Sequence, residues 1–195
     1  MKYETLTVGE MATNCYIVWW EDKTAVIIDP GDEGVEIAQR INELGLKPTA
    51  VLLTHGHFDH VLGALDLKLI FNVPVMMDQK DNFLINRSEK TANYFLKRKT
   101  NKPPVLRTSP LKKGDLRQFD LEIISTPGHT PGSVGYYFPK ERWLFDGDVL
   151  FSAGFEGETE HQYSNKTEMA KSIKKILSLP KGTLVLPGHG ASFII

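Results

Sequence analysis

The chain has 195 residues, with 23 Lys and Arg against 24 Asp and Glu, one cysteine and six histidines. That length supports one domain, or two small lobes on a common core, without covalent staples. Hydrophobic content of 41% with 24% charged residues excludes a disordered or fibrous chain, and the near-neutral balance excludes wholesale nucleic-acid coating. A single cysteine excludes a disulfide framework and a four-cysteine zinc module.

The opening stretch, MKYETLTVGEMATNCYIVWWED, carries Glu4 and Glu10 and lacks the basic start and long apolar run of a targeting segment. CYIVWW is of strand length, far short of the roughly 20 residues that span a bilayer. A cytoplasmic protein with no membrane partner is the expectation.

Short apolar runs ending in Gly, Pro or Asp then read as strands, several of them buried on both faces. In chain order these are CYIVWW (15–20), TAVIIDPG (24–31), TAVLLTHG (49–56) and PVMMDQ (74–79). A second series comprises FDLEIISTPG (119–128), GYYFP (135–139), RWLFDGD (142–148) and TLVLPGHG (183–190). Between them lie helical patterns. Val35, Ala38, Ile41 and Leu44 repeat every three residues, with Asp32 as a cap and Gly45 and Pro48 as a stop. Asn165 and Glu168 have capping-box spacing ahead of Ala170, Ile173, Ile176 and Leu177, and a further helix falls within 79–99. This alternation predicts a layered α/β fold. Each half is a series of strands followed by a helix, so residues 1–195 read as a single domain with pseudo-symmetric lobes of about 1–98 and 99–195. The two meet near Lys99–Pro110. Residues 97–117 also hold eight basic side chains, which read as a solvated helix end and linker rather than as a nucleic-acid surface.

The histidines carry the chemistry. THGHFDH places His55, His57, Asp59 and His60 within six residues. Imidazole and carboxylate are ligands of zinc, iron and manganese, and the spacing suits two ions, one on His55 and His57 and another on Asp59 and His60. His129 follows EIISTPG, Asp148 follows RWLFDG and His189 follows TLVLPG. Each therefore sits just past an apolar strand, where α/β sheets place their sites. His161, in the polar loop GETEHQYS, reads as solvent-exposed, with a substrate contact as the lesser alternative. Asp29, in VIIDPG, is either a turn residue or an outer support for a metal-bound imidazole. Cys15 belongs to the core.

At these residues the chain resembles the metallo-β-lactamase-fold hydrolases, and within them a short glyoxalase II-like (hydroxyacylglutathione hydrolase-like) form. The motifs are Asp29 in VIIDPG, THGHFDH, STPGHTPGSVGYY, LFDGDVLF and PGHG. The resemblance implies a four-layer αβ/βα sandwich with the metal site at one edge between the lobes. It implies that His55, His57 and His129 hold one metal, that Asp59, His60 and His189 hold a second, and that Asp148 bridges them. Two departures stand out. Glyoxalase II proper carries a helical carboxyl-terminal domain, whereas this sequence ends six residues after His189. The run SAGFEGETEHQ also lacks both the lysine–tyrosine pair that binds glutathione and the GRTD-type run of the persulfide dioxygenases.

The expected activity is hydrolysis of a thioester or related ester of a small molecule by a hydroxide bridging two divalent ions, zinc foremost, with iron or manganese suited to the same donors. Asp59 orients that hydroxide. The alternatives are a mononuclear iron persulfide dioxygenase using His55, His57, His129 and Asp148, a lactonase or nuclease of the same superfamily, and a non-catalytic metal protein.

Overall fold

A computed structural model of the protein describes residues 1–97, 106–111 and 119–195. Most of the basic segment expected at 97–117 lies outside the described residues.

Strands β1 (Lys2–Val8), β2 (Thr13–Trp19), β3 (Thr24–Ile28), β4 (Lys47–Leu52), β5 (Val75–Met77) and β6 (Ser109–Pro110) form one sheet in that order. β1 to β3 pair antiparallel, and β3 to β6 parallel. The second sheet holds β7 (Glu122–Ser125), β8 (Val134–Phe138), β9 (Trp143–Gly147), β10 (Leu184–Pro187) and β11 (Phe193–Ile194), in the order β11-β10-β9-β8-β7. Within it only β9 and β10 run parallel. The helices are α1 (Gly34–Glu43), α2 (Ala64–Phe71), α3 (Asn82–Ile85), α4 (Ser88–Phe95) and α5 (Lys166–Leu177).

Side-chain alternation explains why the central strands are apolar throughout. Cys15 and Ile17 of β2, Ile27 of β3 and Val51 of β4 face α1 and α2, meeting Ile37, Ile41, Ala64 and Leu67. The intervening Tyr16, Val18, Ile28 and Leu52 face the other sheet, meeting Val134, Tyr136, Phe138 and Phe145. Leu144 and Val185 turn away from that interface onto Met169 and Ile176 of α5. Helices, sheet, sheet and helix thus stack as four layers, the αβ/βα sandwich expected from the motifs. Period-2 strands with two buried faces build it. Cys15 is fully buried in the first of these cores.

The helical stripes differ from the sequence reading by their phase. In α1 the buried residues are Gly34, Ile37, Ala38 and Ile41, whereas Val35 is exposed. In α5 they are Met169, Ser172 and Ile176, with Ile173 packed beside them and Ala170 and Leu177 exposed. Both stripes follow i, i+3, i+4, i+7, and a strict three-residue count drifts off that face. Asp32 does not cap α1 as expected. Its Oδ1 accepts the Glu33 N–H at 2.9 Å, and Glu33, with no side-chain cap bond, occupies the N-cap position. Asn165 does cap α5, accepting the Glu168 N–H at 3.0 Å. Glu168 bonds Lys171 rather than returning to Asn165, whose N–H goes to Gly128. Among the described residues no helix is long and apolar enough to cross a membrane.

Candidate metal centre

Each histidine motif begins where a strand ends. β4 stops at Leu52 before His55, β7 at Ser125 before His129, β9 at Gly147 before Asp148 and β10 at Pro187 before His189. The rigid sheets therefore deliver groups from both halves of the chain to one edge. Gly147 adopts φ +61° against Thr54, and a Cβ on Gly188 would collide with Asp148 Oδ1 and His60 Cε1, so only glycine permits the close approach of these loops.

Hydrogen bonds around the imidazoles fix which nitrogens face inward. His129 Nδ1–H donates to the Glu158 carbonyl at 2.7 Å. Thr54 Oγ1 donates to Asp29 Oδ2 at 2.6 Å, so at 3.0 Å it accepts from His55 Nδ1–H. Lone pairs are therefore left on His55 Nε2 and His129 Nε2. These face His57 Nδ1 at 3.1 Å and 2.9 Å respectively. Three donors on one tetrahedral cation, at about 2.0–2.1 Å each, stand about 3.3 Å apart. One proton satisfies such a triangle in part; one cation satisfies all of it.

A second set lies alongside. His60 Nδ1–H donates to Asp29 Oδ2 at 3.0 Å, which turns Nε2 toward Asp148 Oδ1 at 3.4 Å and Asp59 Oδ2 at 3.8 Å. His189 Nε2 lies 3.4 Å from Asp59 Oδ2 and 3.5 Å from Asp148 Oδ2. Asp148 Oδ2 is also 3.7 Å from His129 Nε2, so this carboxylate stands between the two sets. His60 Nε2 and Asp148 Oδ1 are buried without a hydrogen-bond partner among the described residues. A buried ring nitrogen and carboxylate oxygen facing each other without a hydrogen bond call for a positive charge there, a proton on the ring or a cation between them. The donor set fits two divalent cations.

The charge states follow the same division. Burial first, with His60 and His57 adding, holds His55 well below the ordinary imidazole range; burial and then His129 push His57 down to about 3. These two rings stay neutral and available as donors. For His60, burial opposes protonation, but Asp148, Asp29 and Asp59 outweigh it and hold the ring well above its usual value. Burial would raise the Asp148 carboxyl, yet His60 above all keeps it well below the carboxylate range.

All seven expected residues, His55, His57, Asp59, His60, His129, Asp148 and His189, thus come together. Asp29 resolves as a support. At φ 50° it accepts from the Thr54 N–H, the Thr54 hydroxyl and His60, tying one member of each set to a single carboxylate. His161 departs from the reading as an exposed residue. It is partly buried, stacks on Tyr163 at 5.0 Å and 18°, and its ring centroid lies 5.6 Å from that of His57.

Sequence reading missed Asp81. This fully buried carboxylate accepts from the Gly56 N–H (3.0 Å), the Thr130 hydroxyl (2.6 Å) and the Gly132 N–H (2.7 Å), bonding both loops that carry the first imidazole set. Burial pushes its carboxyl up although the three donors favour the ionised form. In DQKDN nothing but its type distinguishes it. In Asp81→Asn the amide would place one N–H₂ against a backbone N–H. Unfolding free energy should fall by about 1–3 kcal/mol, read by urea titration of metal-loaded protein, and unchanged stability would remove the loop-tying role.

A cleft of about 510 Å³ opens onto the site, lined by His57, Asp59, His129, Asp148, His161 and His189, with Met11, Phe58, Phe95 and Phe151 as its apolar wall. A second cavity of about 300 Å³ shares His57, Phe95, His161 and Tyr163 and adds Arg87.

A two-sheet sandwich with this His/Asp cluster at one edge is the architecture of a metal-dependent hydrolase superfamily. Residues 8–189 match the Metallo-beta-lactamase superfamily, and the chain belongs to it. It is 40% identical to a Bacillus subtilis protein named a probable metallo-hydrolase, YqgX, over 97% of this chain and 90% of that one. It is 35% identical to the hydroxyacylglutathione hydrolase GloC of Haemophilus influenzae, over 98% and 92% of the two chains. Among solved structures, TTHA1623 in a di-iron-bound form aligns at TM-score 0.88 and 35% identity, covering 98% of this chain and 94% of that one.

Proposed function

We propose that the protein is a binuclear metallohydrolase that cleaves a small-molecule thioester. The observation that carries this reading is the pair of adjacent donor sets facing one Asp148 carboxylate, with His60 Nε2 and Asp148 Oδ1 buried and without a hydrogen-bond partner among the described residues. His55, His57 and His129 would hold one cation, Asp59, His60 and His189 the other, and Asp148 both. Bound there, the cations would supply Lewis-acid polarisation of a carbonyl and a water of lowered pKa.

The chain's own part is placement. Asp59, only 14% exposed beneath the cleft, orients the attacking water through the carboxylate oxygen that faces away from His60 and His189. The aromatic wall covers the acyl group and strips it of water. A thioester's C–S bond breaks to a thiolate, which departs without needing a proton, so a site built of imidazoles and carboxylates suffices. Arg87, in the adjoining cavity, supports a thiol portion that carries negative charge. The kinship with GloC points toward hydroxyacyl thioesters, while the unmatched glutathione lysine–tyrosine pair leaves the carrier thiol to be found by experiment.

Metal analysis of purified protein should give two divalent ions per chain. A screen including S-lactoylglutathione, lactones and a phosphodiester should find turnover of a thioester. One iron per chain, oxygen uptake on a persulfide and no ester hydrolysis would replace this reading with the dioxygenase.

A further inference from the structure

The segment in which the chain departs from its family's usual run, residues 152–162, begins a loop that grips the first imidazole set from outside. Four bonds do this within eight residues. The Glu158 carbonyl accepts from His129 Nδ1 at 2.7 Å, and the Ser164 hydroxyl donates to the His129 carbonyl at 2.7 Å. The Asn165 N–H donates to the Gly128 carbonyl at 2.8 Å. The fourth runs to the other loop, where Tyr163 Oη lies 2.8 Å from His57 Nε2. Packing holds the phenol ring in place: His161 stacks on one side, and Phe83 meets it edge-on at 5.3 Å and 67°.

The two imidazoles are held by chemically different partners. The Glu158 carbonyl can only accept. A phenol accepts and still has a proton to give. When His57 Nδ1 binds a cation, its ring proton must sit on Nε2, and Tyr163 Oη is the acceptor for it. The phenolic hydrogen is then directed elsewhere. Among the described residues Tyr163 has no other hydrogen-bond partner, and its side chain lines both the cleft above the metal centre and the adjoining cavity.

We propose that Tyr163 is a positioning residue for the first metal, holding His57 in its metal-binding tautomer, and that its hydroxyl donates a hydrogen bond to an oxygen of the bound substrate. The first half concerns the metal alone. The second rests on the hydrolase reading given above.

The test is Tyr163→Phe, which keeps the ring and its stacking while removing the oxygen. Zinc affinity, measured without substrate by competition with a chromophoric chelator, should weaken about 10- to 100-fold, the usual effect of losing an outer partner of a ligating imidazole. At saturating zinc, KM for the thioester found in the screen should rise about 3- to 10-fold, as for the loss of one neutral hydrogen bond. The turnover number should hold, because the contact is made alike in ground and transition states. His161→Ala removes the stacking partner and keeps the hydroxyl, and its zinc affinity should stay near that of the parent. Unchanged zinc affinity in Tyr163→Phe overturns the proposal, as does equal weakening in His161→Ala, which would trace the effect to ring packing. Unchanged KM at saturating zinc overturns the substrate contact. If no thioester is turned over, the hydrolase reading fails separately and the zinc titration still decides the role of Tyr163.

Discussion

An Asp59→Ala/His60→Ala double variant is expected to fold, to bind one metal ion instead of two, and to lose thioester hydrolysis by about three orders of magnitude, close to 4 kcal/mol of barrier. These residues are two of the three donors of one set and take no part in the other, in which His57 Nδ1 stands 3.1 Å from His55 Nε2 and 2.9 Å from His129 Nε2. Removing His60 also releases Asp29 Oδ2 from one of its donors, but both bonds from Thr54 remain, so the first set keeps its support. Circular dichroism and metal counting check fold and stoichiometry; steady-state kinetics check the loss. Undiminished hydrolysis in the folded variant would sink a two-metal mechanism. Oxygen uptake on a persulfide that survives the double substitution would instead favour the mononuclear iron chemistry, for which Asp59 and His60 are not needed.

The strands and the histidines were legible in the sequence for one reason. Runs such as TAVIID and TAVLLTH are short, rich in β-branched residues and apolar at consecutive positions, as a strand buried on both faces requires, and the ligand types follow directly where such runs stop. The strands that escaped notice lack that signature. β1 is half-exposed, β6 and β11 are two residues each, and all three are recognisable only by what they pair with. The same boundary runs through the site. His55 and Asp148 declare themselves by type and position, whereas Asp81 and Tyr163 act through partners 49 and 106 residues away. A carboxylate in DQKDN and a phenol in EHQYS have ordinary local roles, and only tertiary contact gives them others. Misplacing His161 has the same origin, because its polar neighbours give no hint that the loop folds back over His57.

Removal of metal should cost more stability than any single substitution considered so far. Without cations, the inward-facing nitrogens of His55 and His129 are left with at most one shared proton, and Asp148 and Asp59 sit among buried groups with His60 as the main compensating charge. The unfolded chain holds no such preformed array, so metal binding adds directly to folding free energy. At free metal about 1,000 times the dissociation constant, each site contributes about 4 kcal/mol. For a chain of this size 1 kcal/mol corresponds to about 2–4 °C in Tm. Stripping a single site by chelation should therefore lower Tm by about 8–16 °C, and stripping both by more. Scanning calorimetry of chelated and zinc-reloaded protein measures the shift. The Asp59→Ala/His60→Ala variant should show only the part belonging to the first set. A chelated protein that melts at the same temperature as the loaded one would mean that these seven side chains satisfy one another without a cation, and the two-ion reading of the donor geometry would fall with it.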